Sequence, residues 1–134
     1  MLKVEHIGIA VINLNESNEL FKKLFDKEHY KVEEVSSEGV NTSFFQIGET
    51  KIELLEATNP DSPIAKFTAK KGEGIHHIAY DVDNIEYELN RLKSEGFIIL
   101  NEKPKKGADN KLVAFLHPKS TNGVLIELCQ EIRD

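Results

Sequence analysis

Cysteine is almost missing from this chain of 134 residues: Cys129 stands alone. A single thiol forms no internal disulfide and cannot supply the thiolate cluster of a structural zinc site. Arginine is nearly as scarce, present only as Arg91 and Arg133, so bidentate clamps for carboxylates are few. No run approaches the ~20 consecutive apolar residues of a membrane-spanning helix. Val4 to Val11 is too short for the apolar segment of a signal peptide and carries Glu5 and His6. Positive charge is outweighed, with a formal net charge of −6, which argues against nucleic acid as a partner. The expectation is a protein of the cytoplasm, or of an organelle matrix after processing, with no membrane partner. Charged residues at 30% and hydrophobic residues at 40% fit one globular domain over residues 1–134.

What the chain does have is a repeat. Glu5-His6-Ile7-Gly8-Ile9-Ala10-Val11 leads into a polar turn and a helix, and His76-His77-Ile78-Ala79-Tyr80-Asp81-Val82 does the same. Each half closes on a matching strand, Lys51-Ile52-Glu53-Leu54-Leu55 and Leu125-Ile126-Glu127-Leu128-Cys129. A duplicated unit with His on its first strand and Glu on its last can bring two His and two Glu to one centre.

The pattern between these markers reads as βαβββ twice. Asn13 with Glu16 forms a capping box before a helix to about Phe25, with Leu20, Phe21, Leu24 and Phe25 expected on one face. Strands are expected at Lys31 to Val35, Val40 to Ile47 and Lys51 to Glu56, with a hairpin turn at Gly48-Glu49-Thr50. Residues 57–74 link the modules 1–56 and 75–134. Ser62-Pro63 within the link starts a short helix to about Lys70. In the second module Asp83 with Glu86 is read as a capping box. The helix it opens is lined by Ile85, Leu89 and Leu92 and stops at Gly96. Strands are expected at Phe97 to Leu100, Leu112 to His117 and Val124 to Gln130. Lysine-bearing loops fall at Lys103 to Lys111 and Pro118 to Gly123.

A lone His on a strand is ordinarily a hydrogen-bonded structural residue, and a lone Glu between apolar neighbours is ordinarily on a solvated face. Repetition changes that weighting. Strand parity sets His6 and His77 opposite the bulky residues that pack under the helices, and Glu53 and Glu127 lie opposite Ile52/Leu54 and Ile126/Leu128. Two imidazoles and two carboxylates suit one divalent ion of intermediate hardness, such as Co²⁺, Mn²⁺, Fe²⁺, Ni²⁺ or Zn²⁺. Lys103, Lys105, Lys106, Lys111 and Lys119 gather the cations that an anionic ligand would need, although such loops are often simply solvated.

Four segments carry a narrower resemblance: Thr50-Lys51-Ile52-Glu53-Leu54-Leu55-Glu56, Asp61-Ser62-Pro63-Ile64-Ala65-Lys66-Phe67, Gly74-Ile75-His76-His77-Ile78-Ala79 and Phe115-Leu116-His117-Pro118-Lys119-Ser120. Through them, and over nearly the whole length, the chain resembles the vicinal oxygen chelate superfamily and, within it, the methylmalonyl-CoA epimerase family. The resemblance implies an α+β fold of two paired βαβββ modules forming a cupped mixed sheet with helices on its outer face. It implies metal ligands His6, His77 and Glu127, with Glu53 at a position that can be Gln in relatives. It implies 1,1-proton transfer between the epimers of methylmalonyl-CoA through a metal-stabilised enolate, with Glu127 and Glu53 as candidate proton carriers. Lys106, Lys111 and Lys119 are the candidate contacts to coenzyme A phosphates, and a homodimer is the expected assembly. One position departs from the family: Thr42 stands where some relatives carry a Glu proposed as a base. A glyoxalase I-type lactoylglutathione lyase and a non-enzymatic small-molecule binder of the same superfamily are the competing expectations.

Overall fold

A computed structural model describes residues 1–133. The chain divides into two compact units, residues His6–His76 and residues Met1–Glu5 with 77–133. The segment 57–74 falls within the first unit.

In the first unit, β1 (Lys3–Val11) leads to α1 (Leu14–Phe25), followed by β2 (Lys31–Val35), β3 (Val40–Ile47), β4 (Thr50–Ala57) and α2 (Pro63–Lys71). The strands lie in the order β2-β3-β4-β1, antiparallel except that β1 runs parallel to β4. That parallel pair needs a long crossover, which α1, β2 and β3 supply. Register then sorts the side chains. Ile9, Val11, Ile52, Leu54 and Phe45 form one core with Leu14, Phe21 and Phe25 of α1. Phe45 is wholly buried and meets the Phe25 ring edge-on at 5.4 Å. The opposite face carries His6, Gly8 and Ala10 beside Lys51, Glu53 and Leu55. α2 packs on that opposite face, where Ile64 and Phe67 cover Ala10, Val40 and Leu55. It closes one end of the face and leaves His6 and Glu53 at the other.

Helix starts follow capping chemistry. The Asn13 side chain accepts from the Glu16 N–H at 2.9 Å, and Glu56 accepts from the Leu14 N–H at 2.9 Å. Ser62 caps α2 ahead of Pro63. The expected apolar face of α1 requires correction. Leu20 and Leu24 are 63% and 68% exposed, whereas Leu14, Asn18, Phe21 and Phe25 face inward. Spacings of four, three and four residues return to one side of a helix, and the Leu pair lies off that stripe. Asn18 is tolerated inside because its Oδ1 accepts the Ser43 hydroxyl at 2.6 Å.

Gly39 closes the turn into β3 with φ +63°, and a Cβ there would lie 2.8 Å from both Asn59 Nδ2 and Ser62 Cβ. Handedness and space both demand glycine.

β5 (Gly74–Asp81) starts at the end of the first unit and carries the chain into the second, where α3 (Ile85–Ser94), β6 (Lys105–Lys106), β7 (Lys111–Leu116) and β8 (Ile126–Glu131) follow. The order is β5-β8-β7-β6, with β5 parallel to β8 and the other pairs antiparallel. Ile85, Leu89 and Leu92 of α3 pack on Val82, Ala114, Leu116 and Leu128, with Tyr80, Leu112 and Ile126 at the margin. The N-terminal residues join this unit through the Leu2 N–H, which donates to the Asp81 carbonyl at 2.8 Å.

Three expectations fail here. The α3 cap is Asn84, not Asp83: its Oδ1 accepts from the Tyr87 N–H at 3.0 Å. The strand expected at Phe97 to Leu100 shrinks to one bridge between Ile99 and Leu116. The Asn101 side chain takes the Phe115 N–H at 2.9 Å, a donor that a longer ladder would have used. A two-residue strand forms instead at Lys105–Lys106, inside the expected loop. Among the described residues no helix is long and apolar enough to cross a membrane.

The cap correction is testable by urea denaturation. Asn84→Ala should cost ~1 kcal/mol of stability, while Asp83→Ala should stay within about 0.5 kcal/mol, the range of an ordinary surface change. The reverse order would restore Asp83 as the cap.

Candidate functional site

Each unit places one imidazole against one carboxylate, and both members of each pair are withdrawn from water. In the first unit His6 Nδ1 lies 3.2 Å from Glu53 Oε2. In the second His77 Nε2 lies 3.1 Å from Glu127 Oε1. Exposures are 5% and 4% for His6 and Glu53, and 6% and 5% for His77 and Glu127. The strand pairings explain the placement. Gly8 is directly beside Glu53 across the parallel β1–β4 pair, and Ala79 is directly beside Glu127 across β5–β8. His6 and His77 lie two residues earlier on the same faces. Small neighbours leave room for the imidazole to lean over the carboxylate.

A second repeated feature was not singled out by motif reading. Phe44 is the antiparallel partner of Glu53, and Phe115 is the antiparallel partner of Glu127. Directly opposed residues share a face with Cβ atoms ~4.5–5.5 Å apart, so a phenyl ring backs each carboxylate. The surroundings of the two rings differ. Phe44 is wholly buried, with Lys31 Nζ 4.7 Å from its centroid and the Tyr30 ring at 5.9 Å. Phe115 is partly exposed and meets the His77 ring edge-on at 5.9 Å. The signal available in the sequence was a Phe on the penultimate strand of each module, visible only once strand register is known.

Thr42 is buried on the Glu53 face, directly beside Leu55 and with Glu33 across from it on β2. Glu5, next to His6, is also buried. Cys129 lies on the Glu127 face beside Ala79 and Val113. Burial pushes its thiol far above the ordinary cysteine range, and the Glu127 and Glu5 charges push the same way.

The three lysines assigned to phosphate do not form one cluster. Lys111 heads β7 on the same face as Phe115, and so as Glu127, while Lys106, the partner of Leu112, points to the α3 face. Lys119 sits in a 3-10 turn, Pro118–Ser120, where its N–H donates to His117 Nδ1 at 2.9 Å. β7 separates Lys111 from that turn by on the order of 17 Å along the strand.

The donor chemistry fits a divalent cation. Each unit offers a nitrogen and an oxygen near enough to serve one ion, and both donors are screened from bulk water. A buried carboxylate beside an imidazole is also a competent proton carrier.

Comparison with known proteins bears on the fold and the family. Residues 5–115 match the model of the Glyoxalase/Bleomycin resistance protein/Dioxygenase superfamily. The mitochondrial methylmalonyl-CoA epimerase of Dictyostelium discoideum is 43% identical over 127 residues, covering 94% of this chain and 76% of that protein. A hypothetical protein from Bacillus halodurans C-125 superposes with a TM-score of 0.95 at 43% identity, covering 98% of this chain and 96% of the other. A single-substitution variant of Streptomyces coelicolor methylmalonyl-CoA epimerase, solved with 2-nitronate-propionyl-CoA, superposes at 0.94 with 31% identity, covering 98% and 95%.

One consequence concerns Cys129. A thiol this deeply buried, with its thiolate disfavoured by two carboxylates, should resist alkylation by iodoacetamide at pH 8 in the folded protein and react fully in denaturant. Fast labelling of the native protein would show the site to be open to solvent.

Proposed function

The chain belongs to the Glyoxalase/Bleomycin resistance protein/Dioxygenase superfamily, and from this we propose that it is an enzyme that interconverts the epimers of methylmalonyl-CoA by 1,1-proton transfer. The observation that carries the reading is the paired placement of a buried His and Glu at equivalent positions of the two units. His6, Glu53, His77 and Glu127 together hold one divalent cation, Co²⁺ in the first instance, with Mn²⁺, Ni²⁺, Fe²⁺ or Zn²⁺ as alternatives. A cation bound there supplies a Lewis acid for the negative charge that develops as the α-proton leaves.

The chain's own residues do the proton work. The reaction removes a proton from the carbon between a thioester and a carboxylate and returns one to the other face, so it needs a carrier on each side. Glu127 and Glu53, on the closing strands of the two modules, fill these roles. Phe115, on the Glu127 face, adds apolar surface that keeps water from competing for the proton. Thr42 offers no carboxylate, so the second carrier falls to Glu53.

Coenzyme A phosphates are assigned to Lys106, Lys111 and Lys119. Lys111 heads this group because it shares the Glu127 face, whereas Lys106 points away. Glyoxalase I-type chemistry on glutathione is less well served. The two arginines suited to its carboxylates are engaged elsewhere, Arg91 with Glu88 at 2.8 Å and Arg133 with Asp83 at 3.2 Å. A homodimer is part of the proposal.

The test is exchange of the α-proton of methylmalonyl-CoA with D₂O, followed by NMR. Exchange should stop in chelator and return with a divalent cation. His6→Ala and His77→Ala should each lose bound metal, measured by elemental analysis; full retention in both would overturn the ligand set. Glu127→Gln should keep part of its metal, since an amide oxygen can still coordinate, but lose ~10²–10⁴-fold in turnover.

The phosphate assignment has its own measurement. Lys111→Ala should raise KM with little change in kcat, because a contact far from the reacting carbon stabilises substrate and transition state alike. Lys106→Ala should do so less. A larger KM effect for Lys106 would show that coenzyme A lies along the α3 face.

A further inference from the structure

The two phenyl rings occupy equivalent places in the repeat, yet only one of them presents surface. Phe44 is wholly buried, with the Lys31 ammonium 4.7 Å from its centre. Phe115 belongs to a small apolar cluster with Ala79, Val113 and Cys129. Ala79 and Cys129 are fully buried and Val113 is 7% exposed, so Phe115 is the member of that cluster that reaches outward.

Its position is firmly set. The backbone N–H of Phe115 donates to Asn101 Oδ1 at 2.9 Å, and its carbonyl accepts from the Leu100 N–H at 2.8 Å. The ring edge contacts His77 at 5.9 Å, and across the ladder Phe115 is directly opposed to Glu127. The ring therefore stands on the Glu127 face, next to His77.

We propose that Phe115 is a specificity-determining residue that bounds the space for the alkyl substituent on the reacting carbon of a 2-alkylmalonyl thioester. The inference rests on the epimerase reading above. That carbon carries a thioester, a carboxylate, a hydrogen and one apolar group. The polar substituents would meet a cation held by His6, Glu53, His77 and Glu127, and the hydrogen would meet Glu127, which leaves the alkyl group to meet apolar surface. In the first unit the equivalent ring is closed off. In the second the open ring is Phe115, within one side chain of the proton carrier. The size of this substituent is a real variable among the relatives. One of them, from Cereibacter sphaeroides, is named ethylmalonyl-CoA/methylmalonyl-CoA epimerase and is 39% identical over 130 residues.

One methylene in an apolar pocket is typically worth a ~10–200-fold change in specificity. The experiment compares kcat/KM for ethylmalonyl-CoA and methylmalonyl-CoA in the metal-loaded protein and in Phe115→Leu, Phe115→Tyr and Phe44→Leu. Metal content and calorimetric affinity for each thioester are measured alongside. Phe115→Leu should raise the ethyl-to-methyl ratio by ~10-fold or more, with the same trend in affinity and with metal retained. Phe115→Tyr, which keeps the ring and adds bulk, should lower the ratio. Phe44→Leu should leave the ratio as it is in the parent protein, because that ring is covered.

An unchanged ratio in a metal-loaded Phe115→Leu protein would overturn the proposal, as would an equal shift in Phe44→Leu. If Phe115→Leu does not fold, the Phe115→Tyr ratio decides in the same way. A parent protein that exchanges no α-proton on either thioester would instead overturn the epimerase reading and this inference with it. Exchange by the parent with no shift in the variants would overturn the inference alone.

Discussion

Glu53 and Glu127 are buried carboxylates, and a carboxylate removed from water costs several kcal/mol unless a proton, a donor or a cation compensates it. That constraint organises the protein. Each Glu has an imidazole within 3.2 Å or less, and each imidazole reaches it because Gly8 or Ala79 leaves the neighbouring strand position small. The parallel pairing of first and last strands in each unit brings His and Glu together, and the helix crossover allows that pairing. Nothing in the hydrophobic cores requires these four polar groups.

The strands divide labour by parity. On one face α1 and α3 bury Phe45, Leu54, Ala114 and Leu128 and hold the sheets rigid. On the other, His and Glu stand beside Phe44 or Phe115. A one-residue slip in register would exchange the two faces and bury four ionisable groups against the helices. The apolar cores therefore specify the register that the site requires. α2 adds a further constraint, because it covers Ala10 and Leu55 on the Glu53 face and so confines the open part of that face to the His6 end.

The duplication is incomplete. His6 meets its carboxylate through Nδ1 and His77 through Nε2. Phe44 is capped by Lys31, while Phe115 is open. The first unit has a full strand at Lys31–Val35, whereas the second has only a bridge at Ile99 and a two-residue strand at Lys105–Lys106.

Much of this was legible from the residues. The repeated His-Ile and Ile-Glu-Leu markers, the alternation of β1, the caps at Asn13 and Ser62 and the bounds of β2 and β3 are local properties of period and spacing, and local physics sets them. The choice of Asn84 over Asp83, the outward turn of Leu20 and Leu24, and the loss of the strand at Phe97 to Leu100 were not legible, because each is settled by a competing partner elsewhere in the chain. Asn101 taking the Phe115 N–H is the clearest case. The residue types at the candidate site were thus determined by the sequence alone, through a pattern written twice. Which ring stands behind which carboxylate, which lysine shares the Glu127 face, and which Phe is left open were decided only by tertiary structure, since cross-strand register joins residues far apart in the chain.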